Sequence, residues 1–219
     1  MAWYNASWTY RQKITMNATL IDEVFSVLPI AGSELGADFF DDALSDGGDI
    51  RFTQADGTTE LACYILNHDA GTDTGRYFVD VSAISNISTD VDIYVYYGNA
   101  GASMAAATDT YGQYNVFPAS VFAFYPLCGA HPLDNAAQNA YHLTASGSAS
   151  TSTNSPVEGV DSYLFSGSAQ YLYCASTPVT DWPVAISAWF NSDSISLSQS
   201  IAALANNGAS DNYAVLEAA

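Results

Sequence analysis

Residues 47–66, GGDIRFTQADGTTELACYIL, decide the fold. In Asp49-Ile50-Arg51-Phe52-Thr53 the apolar Ile50 and Phe52 alternate with polar neighbours, the two-residue period of a strand with one buried face. Leu61, Cys63 and Ile65 resume that period after Ala55-Asp56-Gly57-Thr58. Asp bonds its own backbone and tolerates left-handed geometry, and Gly adopts positive φ without steric penalty, so Asp56-Gly57 predicts a tight turn. The stretch reads as a β-hairpin inside an all-β domain.

Upstream, Trp8, Tyr10, Gln12 and Ile14 share one face of an opening strand, with Thr9, Arg11, Lys13 and Thr15 on the other. A second strand is expected over residues 24–30, with Pro29 marking an edge. Within residues 36–44 the helical spacing of Phe40, Ala43 and Leu44 predicts one short helix over an end of the domain. Downstream, residues 67–75 read as a polar loop, residues 76–81 and 91–97 as strands, and Val91, Ile93, Val95 and Tyr97 as one face of the latter. The tract 98–115, rich in Gly, Ala, Ser and Thr, reads as a linker.

Three pieces in order, Trp8-x-Tyr10-Arg11-x-x-Ile14, the DIRFT and ADGTxEL pair at 49–61, and Ile93-Tyr-Val-Tyr-Tyr-Gly-Asn99, resemble the signature of an uncharacterised β-sandwich family, a domain of unknown function. That family commonly precedes laminin-G or concanavalin-A-like modules in bacterial surface proteins and phage structural proteins. Residues 116–219 resemble the beginning of such a module, through Leu133-Asp134-Asn135, Phe165-Ser-Gly-Ser168-x-x-Tyr171 and Ile186-Ser-Ala-Trp189. The expectation is two tandem β-sandwiches. The first, over 1–115, is immunoglobulin-like or jelly-roll-like and anchors or spaces. The second, over 116–219, is lectin-like and incomplete, because the chain stops at Ala219 when a jelly roll still needs strands to close. The sequence is therefore expected to continue.

Charge narrows the partners. The chain carries 23 acidic residues against Arg11, Lys13, Arg51 and Arg76, a formal charge of −19, which disfavours nucleic acid and anionic membrane surfaces. No stretch approaches the ~20 apolar residues of a membrane span. Met1 leads straight into the first strand without a secretory signal, so the expected location is the cytoplasm until lysis, and then the virion; an extracellular or cell-surface location is the alternative. Cys63, Cys128 and Cys174 have neither metal-ligand spacing nor an even count, and read as reduced structural thiols.

No catalytic constellation assembles. Asp38, Asp41 and Asp42 fall in the short helix and Asp69 and Asp73 in a loop, where solvation is the default, while a retaining glycosidase needs facing carboxyls about 5 Å apart. His68, His131 and His142 are not spaced as a metal set. The laminin-G resemblance implies a calcium ion to which Asp134, Asp161 and Asp181 would contribute, but without geometry the reading of these aspartates as turn formers prevails. Trp182 beside Pro183 would offer an aromatic platform to a sugar, whereas Trp189 reads as core. Arg11, Lys13 and Arg51 are the cations available to dock on an acidic neighbour. Together these features lead to the expectation of a non-enzymatic virion structural protein, a tail-fibre, head-fibre or capsid-decoration component. Its partners would be other virion proteins, further copies of itself and a host glycan. A secreted adhesin or polysaccharide-binding accessory module is the alternative.

Overall fold

A computed structural model describes residues 2–18, 26–84, 89–153, 160–166, 170–176, 183–192, 199–205 and 213–218. The fold is all-β. It divides into two compact units, Met1–Ala175 and Ser176–Ala219, so residues 116–175 lie in the same unit as the first sheets.

The first unit is built on two antiparallel sheets. One has the order β1-β7-β3-β4, from strands β1 (Tyr10–Met16), β3 (Arg51–Thr53), β4 (Glu60–Leu61) and β7 (Val91–Tyr97). The other has the order β2-β6-β5, from β2 (Val27–Ala31), β5 (Cys63–Asp69) and β6 (Thr74–Asp80). Pro29 falls on the edge strand β2, where its missing N–H breaks no ladder on the open side. Alternate residues of both sheets meet in one core: Met16, Phe52, Leu61, Ile93, Val95 and Tyr97 from the first, Ile30, Tyr77 and Val79 from the second.

The organising hairpin forms as expected, β3 pairing with β4 through Phe52↔Leu61 and Thr53↔Glu60. Asp56 Oδ1 accepts the N–H groups of Thr58 and Thr59, both at 2.9 Å, and Gly57 takes φ +77°. A Cβ on Gly57 would lie 2.5 Å from the carbonyl oxygen of Ala2, so close approach reinforces the choice of glycine. Beyond Leu61 the chain does something alternation alone conceals. It changes sheets at Ala62, so Leu61 belongs to the first sheet and Cys63 and Ile65 to the second. The period survives because both sheets face the same core.

The expected short helix, α1 (Ala37–Asp42), covers one end of the sandwich, but it ends sooner than the spacing of Phe40, Ala43 and Leu44 predicts, with Ala43 as its extended cap. Phe39 and Phe40 are buried, and the Phe39 ring meets Tyr97 of the first sheet at 4.9 Å and Tyr77 of the second at 5.9 Å. Burying one such ring contributes roughly 1.5–3 kcal/mol. The short helix thus ties the two layers together.

Two expectations are corrected here. Residues 67–75 are not a loop: β5 continues to Asp69 and β6 starts at Thr74, leaving a tight turn with Asp73 at φ +54°. Polar side chains obscured these strand ends because His68, though polar, packs inward against Phe40 with ring centroids 5.2 Å apart. Residues 98–115 are not a free linker either. Ser103 O accepts Arg51 Nη2 at 2.6 Å, and Tyr111 O accepts Cys63 N–H at 3.2 Å, so the tract is a strap laid along the sandwich. Its small residues let backbone lie close to backbone.

Past the strap, Val116 is buried, and Phe117 and Phe124 pack on Phe78 from the outer face of the second sheet. Short ribbons follow, β8 (Thr144–Ser146) with β11 (Tyr171–Tyr173) and β9 (Ser150–Ser152) with β10 (Ser162–Leu164). In the second unit β12 (Gln199–Ala205) pairs with β13 (Tyr213–Ala218). The Ile186-Ser-Ala-Trp189 motif forms no strand in the described 183–192 segment, and Trp189 is 91% exposed rather than core. Among the described residues no strand pairs with this segment, so its alternating side chains have no sheet face to fill.

Candidate functional site

The signature residues converge on one end of the sandwich. Asp49 is fully buried; its Oδ1 accepts Leu44 N–H at 2.9 Å, and its Oδ2 accepts Gly98 N–H at 2.6 Å and Asn99 N–H at 3.0 Å. The D of DIRFT and the GN of YVYYGN, 49 residues apart at Asp49 and Gly98, are therefore two halves of one clamp. The backbone carbonyl of Asp49 also accepts Trp8 Nε1–H at 2.6 Å, which brings the third piece of the signature to the same place. Gly98 takes φ +80°, and a Cβ there would lie 2.5 Å from the Tyr10 ring.

Arg51 holds the neighbouring node. Its Nε stands 3.4 Å from Glu60 Oε1, its Nη1 donates to the carbonyls of Gly48 and Ile50, and its Nη2 to that of Ser103. Glu60 Oε2 accepts the Tyr4 hydroxyl at 2.5 Å, and burial, reinforced by that bond, pushes the Tyr4 pKa up to about 12. A cavity of about 120 Å³ lies beside this pair, lined among others by Cys63, Tyr111 and Gln113. Burial drives the Cys63 thiol well above its ordinary range, the opposite of what a nucleophilic cysteine needs.

Of the cations singled out for docking, Arg51 is thus engaged within the unit. Arg11 lies between the Trp3 and Tyr94 rings, 4.8 and 4.9 Å from their centroids, and donates to Ala2 O and Tyr96 Oη. Lys13 stands 3.2 Å from Asp92 and is half exposed. Trp182, the expected sugar platform, lies outside the described residues, as does Asp181.

Among the described residues no calcium donor set gathers. Asp134 directs Oδ2 to His131 Nδ1 at 3.6 Å and Oδ1 to His142 Nδ1 at 3.4 Å. His142 Nδ1 already accepts Asn135 N–H, and no group of three His, Cys, Asp or Glu side chains among the described residues has metal-binding geometry. The neighbouring Asn135 is fully buried and organises its loop, accepting from Phe124 and Ala137 N–H and donating to the Phe122 and Ala140 carbonyls. The Leu-Asp-Asn motif is thereby explained as architecture.

The carboxylates considered for acid-base work sit at the surface. Asp38, Asp41 and Asp42 are exposed on α1. Asp69 accepts Gly71 N–H at 2.8 Å, and that bond lowers its pKa, whereas a general acid requires a raised one. Sequence reading missed His68. Its Nδ1 lies 2.7 Å from Tyr77 Oη, its Nε2 is buried with no hydrogen-bond partner, and burial lowers its pKa below 6.5. Alternation could not have found it, because the register shift between Ile65 and Asn67 interrupts the period just before it.

Residues 46–125 match the model of a family described as a domain of unknown function (DUF2341). The match spans Asp49 with Gly98 and Asn99, Arg51, Glu60, the strap and the Phe117–Phe124 pair, so the chain is similar to that family over this part, while Trp8 and Leu44, which also bond Asp49, lie before it. No curated protein matches the chain. No solved structure matches it.

Proposed function

We propose that this chain is a non-enzymatic structural component of a virion, in which the Met1–Ala175 unit anchors or spaces and the surface beyond it meets other proteins or a glycan. The observation that supports this reading is the use made of the signature. Asp49, Arg51, Glu60 and Asn135 bond to neighbouring segments of the same unit and Asp56 to its own turn, a use that favours architecture over acid, base or nucleophile chemistry. Weak contacts made by such a module would gain from many copies on one particle.

The adhesin or accessory-module reading draws on a different observation. Tyr171 and Tyr173 alternate onto the exposed side of β11, 54% and 43% exposed with ring centroids 5.8 Å apart, a surface of the amphipathic kind on which sugars stack. Density-gradient fractionation of the native source with peptide mass spectrometry separates the two. Co-sedimentation with capsid proteins is expected. Recovery in the soluble secreted fraction alone would overturn the virion reading in favour of the adhesin.

A further inference from the structure

His142 has two partners that its ring cannot serve together. Its Nδ1 lies 3.1 Å from the backbone nitrogen of Asn135 and 3.4 Å from Asp134 Oδ1. An imidazole nitrogen either accepts through its lone pair or donates through its proton. Asn135 is fully buried, and a buried donor without an acceptor is costly, so the neutral ring keeps its lone pair on Nδ1 and its proton on Nε2. In that state the lone pair also faces a carboxylate oxygen with no proton between them. A proton added at Nδ1 reverses both terms: the Asn135 bond is lost and the Asp134 contact becomes an ion pair.

Water reaches the exchange directly, since the side chain of His142 is 39% exposed and that of Asp134 50%. On the same loop, His131 stands 3.6 Å from the other oxygen of Asp134 and is open to solvent. From β5, Tyr64 senses Asp134, but burial first, and then Cys128 and Asp134, hold its hydroxyl well above its ordinary value. Burial, followed by Asp161, pushes the Cys128 thiol up to about 11. Both groups therefore stay neutral while a histidine titrates.

The Asn135 bond fastens more than one contact. The Asn135 side chain accepts Phe124 N–H, and the Phe124 carbonyl accepts Ala136 N–H, so this loop holds the ring that packs on Phe78 and Phe117. Tyr141, next to the histidine, takes φ +61°, a left-handed conformation that a tyrosine adopts only where its surroundings impose it. Its carbonyl accepts the Tyr125 hydroxyl at 2.5 Å.

We propose that His142 is an acid-operated latch on residues 131–143: protonation moves its ring from the Asn135 N–H to Asp134 and frees the backbone that fastens this loop to Phe124. Two mutually exclusive hydrogen bonds at one atom give the device its two states, and the proton taken from water selects between them. The latch does not depend on the function proposed above.

The test follows the imidazole nitrogen resonances of His142 and the amide exchange of Asn135 in the full chain, from about pH 7.5 to about 5, with exchange normalised to its intrinsic rate at each pH. At the upper end the unprotonated nitrogen of His142 is expected to be Nδ1. As the ring takes up its proton, protection of the Asn135 N–H is expected to fall roughly tenfold with the same midpoint, the effect of one buried bond left unmade. His142→Gln, whose side-chain oxygen accepts the N–H and takes no proton, is expected to keep Asn135 protected throughout. Asp134→Asn, which removes the charge that draws the protonated ring, is expected to move the midpoint to lower pH. A proton on Nδ1 at the upper end, an Asn135 amide still protected at the lower end, or an equal loss of protection in His142→Gln would overturn the proposal. Should His142→Gln fail to fold, the Asp134→Asn midpoint decides: a downward shift supports the latch and an unmoved midpoint overturns it.

Discussion

Replacing Asp49 by asparagine puts the clamp to a quantitative test. The carboxylate accepts three backbone N–H groups, from Leu44, Gly98 and Asn99. Asparagine keeps the size but only one acceptor oxygen, so in either orientation its NH2 faces at least one buried donor. Losing one charge-assisted bond costs about 1.5–3 kcal/mol, and weakening the other two to neutral strength adds roughly 1 kcal/mol, for a total of about 3 kcal/mol. The opposing term is relief of the buried charge, which has no ion-pair partner among the described residues. In a unit the size of Met1–Ala175 the loss of about 3 kcal/mol alone would lower Tm by about 6–12 °C, and relief of the buried charge reduces that fall. Trp8 reports on the same node, because its indole N–H bonds to the Asp49 carbonyl, so tryptophan emission during thermal or urea unfolding is the assay. Asp41→Asn, on the exposed face of α1, serves as the unaffected control. An Asp49→Asn protein that melts with the control, or above wild type, would refute the reasoning by showing that desolvation outweighs the three bonds.

Three further outcomes are expected. Asp56 is held at about 2 by the Thr59 and Thr58 donors, below its ordinary 3.8, so its contribution is complete above pH 3.8 and disappears as pH falls toward 2; Asp56→Asn should flatten urea midpoints over that window. His68 is held below 6.5 by burial, which favours the neutral ring in the folded state. Its contribution is therefore complete above 6.5 and declines as pH falls below that value, and His68→Gln should reduce the slope in denaturation series between about pH 7.5 and 5. Burial raises the Cys63 thiol and pushes Cys128 up to about 11, so under native conditions a thiol reagent should label Cys174 first, with the other two appearing only on unfolding; equal rates at all three would contradict the packing.

The hairpin, the helix and the inward face of β7 were legible because each is a local pattern: a turn pair at Asp56-Gly57, apolar spacing at Phe40, alternation from Val91 to Tyr97. What escaped was the meaning of long-range polar bonds. Asp49 reads as one more strand-flanking aspartate until Gly98 and Asn99 are seen to point at it, and nothing in periodicity reports a bond across 49 residues. The strap was misread for the related reason that a small-residue tract looks alike whether it is loose or pinned by Arg51 and Cys63. His68 shows the limit of polarity as a guide, since a ring that stacks on Phe40 and bonds Tyr77 behaves as core. Trp189 shows the converse, an apolar residue in an alternating run that lies exposed.

The pairing of β1 with β7 begins at Tyr10↔Tyr97, so the chain enters and leaves the sandwich at the same end of two adjacent antiparallel strands. Tension applied through the leading residues and the strap would then open the ladder like a zip, one pair at a time, instead of shearing all seven pairs at once. Asp49 holds Gly98 and Asn99, and Thr9 Oγ1 bonds the Gly98 carbonyl, just outside that first pair. The buried carboxylate is thus a shackle on the zip's starting tooth, reached only after the strap's own bonds to Arg51 and Cys63 have given way.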